Sequence, residues 1–134
     1  MFVKFVSGPE DINEQAWPVK KFEEVEETVR ELNGMDKSLI ILGGKHDTPH
    51  MAIGGGKDNQ YVAYITFNNK SFFRLVTTTK ATKETVEIQA GDDYSDFNAN
   101  QVIGLEQILT AVKHFCETGK TDPSLLWEEE VAQE

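Results

Sequence analysis

A chain of 134 residues, 39% hydrophobic and 27% charged, has the size and composition of one folded domain with its own core and is not that of a disordered polymer. Its formal net charge of -10 argues against a nucleic-acid ligand, whose phosphates require clustered Lys and Arg, and suits either solubility or a basic protein partner. The lone cysteine, Cys116, excludes an internal disulfide, and no run approaches the roughly 20 apolar residues of a membrane span, so the cytoplasm is the expected compartment.

In chain order, Met1 to Val6 is rich in β-formers and stops at Ser7-Gly8-Pro9, which predicts a first strand and a turn. Phe22, Val25, Val29 and Leu32 recur at helical spacing before Asn33-Gly34, predicting an amphipathic helix over 22–32. Its opposite side carries Glu23, Glu24, Glu27 and Glu31 as an acidic outer stripe. Five short runs follow: Ser38 to Leu42, Met51 to Ile53, Tyr61 to Phe67, Ser71 to Val76 and Thr85 to Gln89. The turns between them are rich in Gly and Asn, as hairpins require, so these runs read as an antiparallel meander.

After Gly91, the segment Asp92, Asp93, Tyr94, Ser95, Asp96 and Phe97 reads as an acidic, aromatic loop. Leu105, Ile108, Leu109, Val112, Phe115 and Cys116 form one face of a second helix, entered at Gly104 and ended by Thr118-Gly119. The tail holds Trp127, expected to cap the core, and the run Glu128 to Glu130. The expected architecture is one α+β domain over 1–134: an antiparallel meander sheet of about six strands with two main helices packed on it.

Three groupings could carry chemistry. His114 and Cys116 are two apart on a helix and so face different sides, which favours a core cysteine over a nucleophile and its base. His46, Asp47 and His50 could begin a metal site, but nothing completes a ligand set, and a polar hairpin loop accounts for them. Gly54-Gly55-Gly56 with Lys57 resembles a phosphate cradle, yet a strand rather than a helix follows, so a tight bend is the better reading. No catalytic group, metal or cofactor is identified.

Several of these residues fall into the order of a known family. Phe115-Cys116-Glu117-Thr118-Gly119, then Asp122-Pro123-Ser124 and Trp127-Glu128, with Ile53-Gly54-Gly55-Gly56 before the strand Tyr61 to Thr66 and Gly91 ahead of the second helix, resemble the deaminase-toxin immunity proteins of bacterial polymorphic toxin systems, the first-numbered immunity family. One departure is Gly91-Asp92, where that family often shows two glycines. The resemblance implies a non-enzymatic protein that binds a cognate toxin, commonly a nucleic-acid deaminase with a basic substrate groove, and occludes its active site. For such a partner the candidate contacts are Asp92, Asp93, Tyr94, Asp96 and Phe97, or the stripe Glu23, Glu24, Glu27 and Glu31. The motif residues Gly54, Gly55, Gly56, Gly91, Phe115, Thr118, Gly119, Trp127 and Glu128 read as structural. The alternative is a small-molecule-binding or adaptor domain of the same fold class.

Overall fold

Side chains on a strand alternate between its two faces, and here that alternation divides the sheet into a helix-covered side and a side that receives a hairpin. The computed structural model describes residues 2–6, 15–18, 21–35, 37–43, 49–78, 83–90 and 93–131. Its elements are β1 (Phe2–Val6), β2 (Gln15–Pro18), α1 (Phe22–Arg30), β3 (Leu39–Gly43), β4 (His50–Gly55), β5 (Tyr61–Thr66), β6 (Ser71–Val76), β7 (Thr85–Ala90), β8 (Asp93–Asn98), α2 (Leu105–Thr118) and β9 (Leu126–Val131). Seven strands form one sheet in the order β2-β1-β3-β4-β5-β6-β9, each neighbouring pair antiparallel. Among the described residues the remaining two, β7 and β8, pair with each other as a second sheet.

The core lies between the sheet and both helices. Val25 and Val29 of α1, with Leu32 just beyond it, and Ile108, Val112 and Phe115 of α2 pack onto Ile40, Leu42, Met51, Ile53, Ile65 and Leu75. Apolar stripes of this kind drive the folding of short helices, which are marginal alone. On the other side, Ile41, Ala52, Tyr64 and Arg74 lie in register across β3 to β6, beside Leu39, Gly54 and Val62. The β7–β8 hairpin sits against this side: a Cβ on Gly54 would lie 2.5 Å from the Cβ of Ala90. Gly54 is therefore a point of close approach, and a larger residue there would push against the hairpin.

The α+β architecture, the antiparallel sheet and the two helices agree with the sequence reading, whereas five elements differ in detail. Thr85 to Gln89 is a strand, extended to Ala90, but it leaves the meander to build the separate hairpin. The segment read as an acidic loop is β8, held by β7 across six residue pairs from Thr85↔Asn98 to Ala90↔Asp93. The segment read as a tail is β9, whose glutamates have low strand propensity but whose pairing with β6 runs from Ser71↔Val131 to Val76↔Leu126. The place beside β6 is thus taken by the C-terminal strand. β2 was also unanticipated, and α1 ends at Arg30, with Leu32 still in the core.

The second helix is capped from a distance. Gly104 precedes it in an extended conformation and offers no side chain, while Asn59, in the turn between β4 and β5, accepts a 2.9 Å hydrogen bond from the Leu105 N–H through its Oδ1. Asn59→Ala is expected to cost about 1–2 kcal/mol, combining the lost cap with an alanine at φ 59°. Asn59→Asp, which keeps the acceptor, should lose markedly less in urea denaturation.

Candidate interaction surface

The hairpin presents two different faces. Cross-strand partners share a face, so Val86 and Phe97 lie on one side and Glu87 with Asp96, and Gln89 with Tyr94, on the other. Ile88 is 4% exposed and faces the sheet. Phe97 is half-buried, with the Arg74 guanidinium 5.5 Å from its ring centre; the same guanidinium lies 5.8 Å from the Tyr64 ring, and its Nε donates to Glu130 at 3.1 Å. This half-buried cluster, to which Phe97 belongs, ties the hairpin to the sheet.

The outward face has the opposite character. Tyr94 is 65% exposed, and its hydroxyl hydrogen-bonds the Glu87 carboxylate. That bond, with the negative charge of Glu87, raises the phenol above its ordinary range. Glu87 stands directly opposite Asp96, a like-charge pairing that disfavours the hairpin, and both side chains are exposed. Among the described residues no ion pair offsets either one. Asp93 pairs through its backbone with Ala90, while Gly91 and Asp92 lie outside the described residues.

The second acidic candidate is on the far side of the sheet. Glu23, Glu24, Glu27 and Glu31 of and just after α1 are all exposed, as the helical period predicts. Glu31 lies 3.8 Å from Lys37, and the neighbouring Glu26 holds Arg30 at 2.8 Å, so this stripe is partly compensated by cations. The two acidic surfaces therefore flank opposite faces of the sheet and form no single patch.

Several of the motif residues take part in turns, helix ends and packing. Gly55 and Gly56 have φ of 95° and 116°, and Gly119 closes α2 at φ 72° with its N–H on the Phe115 carbonyl at 2.7 Å. Thr118 turns its hydroxyl back to the His114 carbonyl. Trp127 packs against the core and donates from Nε1 to the Asp122 carbonyl at 2.9 Å. Glu128 is exposed, opposite Arg74 in the β6–β9 register. Sequence reasoning missed Glu87, although the polar alternation Thr85, Glu87, Gln89 was a legible signal for the outward face.

The candidate chemical groupings separate. His50 is a strand residue in edge contact with Tyr64, ring centres 6.0 Å apart, where a loop was expected, and His46 and Asp47 lie outside the described residues. Among the described residues no group of His, Cys, Asp and Glu could hold a metal. Gly56 leads into a single turn, Lys57–Asn59, and then into β5, so no helix N-terminus faces the glycines. Cys116 packs against the core, and burial pushes its thiol up to about 11. At pH 8 roughly a thousandth of it is thiolate, against roughly a quarter for a free cysteine. Alkylation by iodoacetamide should accordingly be at least ~10-fold slower in the native than in the unfolded protein, and should accelerate as pH rises towards 11.

Among the described residues no helix is long and apolar enough to cross a membrane. A search of curated proteins finds no match. The family model described as "Immunity protein Imm1" matches residues 13–129, a span that runs from β2 through the glycine turn, the hairpin and α2 into β9. The chain belongs to the Imm1 family of immunity proteins.

Proposed function

We propose that this protein neutralises a cognate toxin by binding it stoichiometrically and covering its active site, without catalysing a reaction. The toxin is read as a nucleic-acid deaminase whose substrate path is basic, and the cytoplasm as the place where the two meet. The observation that carries this reading is the outward hairpin face, where Glu87 and Asp96 oppose each other with no ion pair among the described residues and Tyr94 of β8 stands exposed beside them. Such a pairing weakens an isolated hairpin, and a basic partner converts the same repulsion into attraction. Tyrosine is a common anchor at protein interfaces, and acidic neighbours accelerate encounter with a positively charged surface. Asp92 and Asp93 extend this acidic segment in sequence and belong to the proposed contact surface. The α1 stripe is the weaker candidate because cations already stand beside it.

Occlusion requires no chemistry, only an affinity high enough to exclude nucleic acid, and nuclease–immunity pairs show how high such affinities can be. Co-expression with the toxin domain encoded beside this chain's gene tests the reading. Survival of the cells together with a one-to-one complex on size exclusion is the expected result. Cell death in the presence of folded, soluble protein would contradict it.

A further inference from the structure

Three segments converge beside the exposed face of the hairpin and enclose a cleft of about 340 Å3: the loop after α1, the turn between β4 and β5, and β7 with β8. Their approach depends on glycine. A Cβ on Gly34 would lie 2.7 Å from the Lys57 Cβ, one on Gly56 2.5 Å from the Leu32 carbonyl, and one on Gly55 2.5 Å from the Gln60 oxygen and 3.1 Å from Ile88 Cγ2. All three glycines have positive φ. Two motif glycines thus shape a recess as well as a turn.

The lining has a consistent chemistry. Ile88 supplies a buried apolar floor, and Met35 and Tyr94, each 65% exposed, stand on the rim. Met35 and Tyr94 are large apolar side chains left in solvent by the fold, the pattern expected where a partner covers them. Glu87 lines the cleft with its carboxylate held by the Tyr94 hydroxyl, and Asp58 adds a second acid. Among the described residues of the lining Lys57 is the one cation, with no ion pair to a described residue. With Asp96 across from Glu87, the local balance is negative. A fitting guest has a long apolar stem, a permanent positive charge and a planar head able to lie against an aromatic ring while bonding a carboxylate. Arginine combines these properties, whereas lysine lacks the planar, forked head.

We propose that this cleft receives an arginine side chain of the toxin, bonded to Glu87 and flanked by Tyr94 and Met35. The proposal rests on the inhibitor reading above and adds the point at which the partner is gripped. Occupation of the cleft would withdraw that arginine from the toxin's nucleic-acid path.

The test measures binding of the full chain to the toxin domain encoded beside its gene. Glu87→Gln and Tyr94→Ala are each expected to raise Kd by roughly 10-fold or more at unchanged melting temperature. The control Glu23→Gln/Glu27→Gln on α1 should stay within about 3-fold. Toxin arginines are then replaced by alanine one at a time. One of them should show the same loss, with no further loss when combined with Glu87→Gln, as expected for a directly bonded pair. Wild-type affinity in both cleft variants would overturn the cleft while leaving the inhibitor reading intact, and coupling of Glu87 to a toxin lysine would overturn the arginine assignment. No binding by the wild-type chain would overturn the inhibitor reading and the cleft with it.

Discussion

Gly56→Ala is expected to destabilise the protein by several kcal/mol, with about 1–3 kcal/mol from backbone strain and a comparable amount from overlap. At φ 116° the position lies in a region that L side chains rarely adopt, and the added methyl would stand 2.5 Å from both the carbonyl carbon and oxygen of Leu32 and 2.8 Å from the Asn33 nitrogen. These are backbone atoms, so no rotamer change relieves the contact. The loop that holds them is itself fixed, since the N–H groups of Asn33 and Gly34 both donate to the Lys37 carbonyl. Gly119→Ala is the internal control: φ is 72°, but nothing lies within 4 Å of the added Cβ, so strain alone remains, about 1–2 kcal/mol. Urea denaturation of both variants separates overlap from strain. Equal losses would mean that the end of α1 moves aside easily.

Phe115→Ala should cost about 3–5 kcal/mol, the usual range for emptying a buried aromatic site. The ring is 1% exposed, belongs to the cluster that joins both helices to the sheet, and lies one turn before the Gly119 stop. In calorimetry this corresponds to a fall in Tm of roughly 10–20 °C. A change below about 1 kcal/mol would show that the surrounding side chains collapse into the space and that the core is less tightly interlocked than its burial indicates.

Much of the architecture was legible because hydrophobic period and turn chemistry agree with it. The β6 span, Ser71 to Val76, was read at its observed bounds, and α2 differs from its predicted face by no more than an end residue. α2 has a long apolar pattern and a glycine stop, and β6 is a short run rich in strand formers that begins after Asn68-Asn69. β8 and β9 were not legible because the Asp and Asn residues of one and the three glutamates of the other have low strand preference and outweigh Tyr94, Phe97, Trp127 and Val131. What makes them strands is a partner far away or across a turn, β6 for β9 and β7 for β8, and composition alone holds no record of that pairing.

The site was legible in the same partial way. Tyr94 and Asp96 were selected for acidity and an exposed aromatic, and they lie on the outward hairpin face. Phe97 was selected with them, but strand alternation turns it towards Arg74, a distinction that a loop reading could not make. Glu87 carried only the polar alternation it shares with Thr85 and Gln89, and Met35 had no signal beyond its residue type. Their importance comes from convergence of three distant segments on one cleft, which arises only in three dimensions.

The most direct test of the central claim is a titration of the cognate toxin's activity against this protein at concentrations well above the dissociation constant. The account predicts a linear fall that reaches zero at one equivalent, with activity restored when the complex is separated. Unchanged activity at several equivalents, or complete loss at a small fraction of one equivalent, would contradict a stoichiometric inhibitor that acts by covering the active site.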